Sequence, residues 1–124
     1  MVTLETLRAG LLRLRFCQPY DAQDETAYLT ALEEICRQPG PFVLLTVFGG
    51  GPALSPAGER EQALWFKRNR ALMNERCRAL AIVRPGASEE TAKVFRRLWD
   101  FPLIATPDEG VAQAFLARHL EAVS

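Results

Sequence analysis

The sequence predicts an α/β domain in the order β-β-α-β-α-β-α-β-α: a mostly parallel five-stranded sheet with an N-terminal hairpin and four helices. Three observations carry this. Leu12, Leu14 and Phe16 alternate with Arg13 and Arg15, the period of two of a strand with one dry face. Phe42–Phe48 and residues 79–83 are short, nearly continuous apolar runs, as central strands covered on both faces require. Between such runs, apolar residues recur three and four apart, bounded by capping and breaking residues. Strands alternating with helices argue a sheet that is parallel after its opening hairpin.

The first two strands are residues 4–7 and Leu11–Phe16, turning at Ala9-Gly10, with the arginines on a wet face. Gln18-Pro19-Tyr20-Asp21 ends the hairpin, and Asp21 or Asp24 caps the first helix, whose buried stripe is Tyr28, Leu29, Leu32, Ile35 and Cys36. Gln38-Pro39-Gly40-Pro41 stops it, because proline cannot continue a helix. After the strand Phe42–Phe48 and a glycine loop, Ser55-Pro56 reads as N-cap and first helical residue. The stripe expected there is Leu64, Trp65, Ala71 and Leu72, with Lys67, Arg70 and Arg76 directed elsewhere.

The strand 79–83 follows. Ser88 then caps a helix with Glu89 and Glu90 in its first turn, where the dipole favours them, and with Ala92, Phe95, Leu98 and Trp99 inward. Residues 102–105 form the last strand, and Thr106-Pro107-Asp108-Glu109 reads as a capping box before a helix burying Val111, Ala112, Phe115 and Leu116.

A chain of 124 residues with 48% apolar and 24% charged side chains is large and hydrophobic enough for one core, so a single domain over 1–124 is expected. No apolar run approaches the roughly 20 residues of a membrane helix, and the start M-V-T-L-E-T-L-R-A-G lacks a signal-peptide pattern; a cytoplasmic protein is expected. Cys17, Cys36 and Cys77 are odd in number and far apart, which suggests neither a disulfide framework nor a zinc site. Formal charge is zero, but residues 60–97 hold ten Lys/Arg against four Asp/Glu, a net +6 that the flanks cancel. Such asymmetry either steers an anionic partner or is solvated helix surface. Lys67, Arg70, Arg76, Lys93, Arg96 and Arg97 are expected on exposed helix faces beside the glycine loop.

Thr46-Val47-Phe48-Gly49-Gly50-Gly51-Pro52-Ala53-Leu54-Ser55 is placed where a phosphate cradle would be, between strand and helix. It lacks the G-K-[ST] of a nucleotide loop and the third glycine of a dinucleotide fingerprint, so turn chemistry is the preferred reading. Ser55 lacks the G-x-S-x-G frame of a nucleophile elbow. The lone His119 falls near the end of the last helix, where the dipole favours it. Glu33-Glu34 and Glu89-Glu90 diverge on their helices. The expectation is therefore no catalytic residue, no metal site and no cofactor. Ser55 keeps two readings: helix cap, or phosphorylation switch at a helix N-terminus.

With this order of elements, the chain resembles the SpoIIAA-like superfamily, the STAS and STAS-like domains of bacteria. The likeness spans nearly the whole chain. It rests on L-E-T-L-R-A-G-L-L-R-L-R-F, P-F-V-L-L-T-V-F-G, W-F-K-R-N-R-A-L-M-N-E-R-C-R-A-L-A-I-V and P-L-I-A-T-P-D-E-G-V-A-Q-A-F-L. The resemblance implies a non-enzymatic role, binding a regulatory protein or a small apolar ligand. In anti-anti-sigma members the loop and helix after the third strand carry a phosphorylatable serine, a region that here maps onto residues 49–55. Those members have an aspartate at the strand end and an Asp-Ser-Ser-Gly-like helix start; this chain has Thr46-Val47-Phe48 and Leu54-Ser55-Pro56-Ala57 and reads as a divergent member.

The surface expected to meet a partner is Gly49, Gly50, Gly51, Ser55, Arg60, Lys67 and Arg70, with Ser55 as phosphoacceptor. The alternative is a small-molecule or lipid carrier with a pocket lined by Phe48, Trp65, Phe95 and Trp99. The partners considered are a regulatory protein, a small apolar ligand and a second copy of the chain. Nucleic acid ranks below an acidic protein, because net charge is zero and no reading motif is present.

Overall fold

The computed structural model describes residues 2–16, 22–49 and 55–123. Its elements are β1 (Val2–Arg8), β2 (Leu11–Phe16), α1 (Ala22–Cys36), β3 (Phe42–Phe48), α2 (Pro56–Arg76), β4 (Cys77–Val83), α3 (Glu89–Arg96), β5 (Leu103–Thr106) and α4 (Glu109–Val123), the order read from the sequence. The strands form one sheet in the spatial order β1-β2-β3-β4-β5. β1 pairs antiparallel with β2, and β2 through β5 pair parallel. Gly10 turns the hairpin at φ 83°, a left-handed conformation that glycine adopts without Cβ strain.

Strand periodicity sorts the core into two layers. Leu12, Leu14, Phe16, Leu44, Leu80 and Ile82 face the cluster shared with α1, α2 and α3. Leu11, Val43, Leu45, Val47, Ala79, Ala81 and Val83 face α4 through Ala112 and Leu116. The three crossover helices thus lie on one face and α4 alone covers the other. Ile35, Val43, Leu45 and Leu116 are fully buried, each worth roughly 1.5–3 kcal/mol. Thr46 is the buried polar residue of β3, and its Oγ1 donates to the Ala81 carbonyl at 3.2 Å.

Several expectations are corrected. Asp24 lies inside the first turn of α1 and is not its cap; Asp21 lies outside the described residues. The arginine face of β2 is not simply wet: Arg13 and Arg15 both reach the Glu109 carboxylate of α4, at 3.4 and 3.3 Å, and Arg13 also pairs with Glu5 across the hairpin. On α2, Leu64 is 48% exposed and Ala71 is exposed, while Gly58, Trp65 and Met73 are buried. The expected stripe holds at Trp65 and in part at Leu72 but misses at Leu64 and Ala71, because the packed side also carries polar groups. Gln62 donates to the Tyr28 hydroxyl at 2.6 Å, and Asn69 to the Trp65 carbonyl at 3.0 Å.

Arg76 is half-buried rather than free: its guanidinium donates to the carbonyls of Cys36 and Gln38, closing the C-terminal end of α1. The last helix is capped by Asp108, not by Thr106. Asp108 Oδ1 accepts from the N–H groups of Gly110 and Val111 at 2.8 and 3.2 Å, whereas Thr106 ends β5 and its hydroxyl accepts the Asp108 N–H. A carboxylate directly before the helix reaches two of its free donors, which a residue two positions earlier does not. Val111, expected inward, is 51% exposed.

Candidate functional site at the start of helix α2

Parallel strands β2 and β3 end side by side, with the Gly49 N–H donating to the Phe16 carbonyl at 3.0 Å. Beside that edge the first turn of α1 meets the start of α2. Ser55 is extended, with φ −61° and ψ 160°, and its Oγ accepts the Gly58 N–H at 3.1 Å, the geometry of an N-cap. The same hydroxyl donates to Glu25 Oε1 at 2.5 Å, and the Ser55 N–H donates to Glu25 Oε2 at 3.1 Å. One carboxylate from α1 therefore grips both polar groups of the α2 cap. Helix-dipole electrostatics favour a negative group at this position.

Gly58 makes that grip sterically possible. A Cβ there would lie 1.9 Å from Glu25 Oε1 and 2.5 Å from its Cδ. Glu25 is the residue of this site that the sequence reading missed. Its sequence signal is an acid in a helix first turn, and nothing local links it to a serine 30 positions away.

The remaining expected site residues are spread along α2. At 1.5 Å per residue, Arg60, Lys67 and Arg70 stand about 7, 18 and 22 Å along the axis from Ser55. All three are exposed, as is Gly49. They form a strip leading away from the loop rather than a patch around it. Gly50 and Gly51 lie outside the described residues.

The four aromatics named as pocket lining are divided between two packed clusters. Phe48 lies 6.2 Å from Phe16 and 6.3 Å from Tyr28, ring centre to ring centre. Trp65 lies edge-on to Trp99 at 6.2 Å, with Phe66 against both rings, and Phe101 stacks on Trp99 at 5.5 Å. Phe95 is partly buried against the same core. A recess of about 220 Å³ opens elsewhere, between α1 and α2, lined by Thr26, Leu29, Glu33, Glu61, Trp65 and Arg68 among others. At its wall the buried Trp65 indole N–H has no full hydrogen bond to a described residue.

The displaced titrations belong to the packing. Burial pushes Tyr28 up to about 12 against the pull of its Gln62 hydrogen bond, and burial pushes Cys77 to about 12 against a backbone hydrogen bond with Ala79. Burial also raises the Cys36 thiol, opposed by the nearby Trp65 side chain. His119 is half-buried with its ring 4.7 Å from Phe115. Among the described residues no three His, Cys, Asp or Glu side chains gather as metal ligands, and no helix is long and apolar enough to cross a membrane.

Comparison of the whole fold with solved structures gives a match at TM-score 0.63 and 13% identity, covering 94% of this chain and 92% of the other. The matched protein is an uncharacterised member of the DUF3478 family from Shewanella loihica PV-4, described as having a SpoIIAA-like fold. Neither a scan against models of protein families nor a search of curated proteins finds a match. The α/β architecture of this chain is thus the SpoIIAA-like fold.

Proposed function

We propose that the chain is a non-enzymatic regulatory binding module whose protein partner sits on the end of β3, the loop to Ser55 and the exposed side of α2. The observation that carries this reading is the exposed Ser55 hydroxyl held between the α2 N-terminus and Glu25 of α1. A change at that one atom reaches two helices at once. A phosphate on Ser55 would add about −1.5 to −2 charges beside the Glu25 carboxylate, while the free N–H groups of α2 attract it. Repulsion would expel Glu25 and separate the first turns of α1 and α2. The packed, neutral state of Tyr28 and Cys77 agrees with structural rather than catalytic roles for the most displaced groups.

The test is affinity capture from the native host with the wild type, Ser55→Ala and Ser55→Glu, each checked for folding by circular dichroism. One protein retained by wild type and Ser55→Ala but lost from Ser55→Glu is the expected result. Equal retention by all three would remove Ser55 from the interface and the switch. The carrier reading is favoured by one observation, the recess between α1 and α2 with Trp65 in its wall. A small molecule retained through purification, and released on substituting Trp65 by Phe, would support it.

A further inference from the structure

We propose that the outward face of α2 is the seat of an acidic protein segment that covers Leu64 with an apolar residue of its own. This deepens the binding reading above and rests on it. Arg60, Leu64, Lys67 and Ala71 follow the 4-3-4 spacing of one helix face, opposite the buried Trp65 and Met73, and all four are exposed. By the same geometry Arg68 and Arg70 flank the row on its two sides, also exposed.

What distinguishes this face is that four cations without compensation are grouped on one helix. Six cations elsewhere are engaged: Arg13 and Arg15 with Glu109, Arg37 with Glu34, Lys93 with Glu90, Arg96 with Glu89, Arg76 with two carbonyls; Arg8, Arg78, Arg84, Arg97 and Arg118, outside α2, meet no carboxylate among the described residues. Arg60, Lys67, Arg68 and Arg70 meet no carboxylate among the described residues within ion-pair distance. Spacing within the helix contributes to this. Three or four positions from each of them stand Pro56, Ala57, Ala63, Leu64, Trp65, Phe66, Ala71, Leu72, Met73 or Asn74, and Lys67 and Arg70 face each other as like charges. A row of cations kept from its own helix's acids, around an exposed leucine, complements an acidic segment bearing an apolar side chain.

The dimensions select among anions. Arg60 to Ala71 spans about 16 Å, three helical turns, which matches one short helix or about five extended residues. Glu59, Glu61 and Glu75 stand at the two ends of the row and would repel a phosphate backbone continuing past it. One leucine among alanines is too small an apolar face for stable insertion into a bilayer surface.

The experiment selects binders for the immobilised full chain from a random 12-residue peptide display library at low salt. Recovered peptides are then titrated by fluorescence anisotropy against the wild type, Lys67→Glu/Arg70→Glu, Lys67→Gln/Arg70→Gln, Leu64→Ser and Ser55→Glu. The expected peptides carry several acids and at least one large apolar residue. Their affinity falls about tenfold or more on charge reversal, less on neutralisation or Leu64→Ser, and falls with added salt. Peptides indifferent to the α2 substitutions but lost on Ser55→Glu would overturn this inference and leave the binding reading standing; peptides indifferent to both would overturn both. Binding of a 12-nucleotide RNA or of phosphatidylglycerol vesicles that is lost on charge reversal, with no acidic peptide recovered, would overturn it in favour of a phosphate-bearing ligand.

Discussion

Substituting Gly58 by alanine should leave stability nearly unchanged while cutting the link between α1 and α2. Two effects oppose each other. Alanine gains about 0.5–1 kcal/mol over glycine within a helix, and less this close to its start. The new Cβ, however, occupies the place of the Glu25 carboxylate, which would lie 1.9 Å away. That carboxylate ends a flexible side chain, so it swings aside instead of forcing the helices apart, and its two hydrogen bonds to Ser55 are lost. At a half-exposed position those bonds contribute on the order of 1 kcal/mol together. The net change is then within about 1 kcal/mol of zero, which on its own would look like an uninformative substitution.

A double-mutant cycle exposes the link. Glu25→Ala should cost about 1 kcal/mol more in the wild-type background than beside Gly58→Ala, a coupling of about 1 kcal/mol. Urea unfolding followed by the fluorescence of the buried Trp65 and Trp99 resolves this, since 1 kcal/mol moves the midpoint by about 0.5 M at a slope of about 2 kcal/mol/M. An equal cost of Glu25→Ala in both backgrounds would refute the steric argument. So would a loss beyond about 2 kcal/mol for Gly58→Ala alone, which would mean that backbone had to move.

Gly40→Ala is the contrasting glycine: its Cβ would lie 2.9 Å from Arg76 Cα and 2.6 Å from Arg76 Cβ, atoms that cannot step aside, so a loss of about 2 kcal/mol or more is expected from urea titration. Asp108→Ala should cost about 0.5–2 kcal/mol, and Thr106→Ala clearly less, in the same assay; the reverse order would restore Thr106 as the cap. Tyr28 and Cys77 are raised from ordinary values of 10.0 and 9.0 to about 12, so the native state holds their protons more tightly than the unfolded chain. Their contribution is complete below about pH 9 and lost as pH rises toward 12. Unfolding free energies between pH 8 and 11 should fall, and Tyr28→Phe should flatten the decline above pH 10; an unchanged slope would show that Tyr28 ionises freely.

Local chemistry alone determined the element order of this chain. Phe42–Phe48 is continuous and β-rich, the Arg13 and Arg15 alternation marks β2, and Pro39, Pro41, Ser55 and Ser88 punctuate the helices, because turn, cap and period signals act within a few residues. The direction and adjacency of β3 and β4 followed from the same patterns through the parallel-sheet rule. The tertiary structure alone decided which side of α2 is buried. Gln62 can turn inward because the Tyr28 hydroxyl of α1 meets it there, and Leu64 is left outside. Arg76 looked like one more surface cation until the end of α1 supplied the carbonyls it closes. The site itself depends most on packing. Glu25 and Ser55 are 30 residues apart, each ordinary in its own helix, and meet because two helices cover the same face of the sheet while Gly58 leaves the gap that admits the carboxylate.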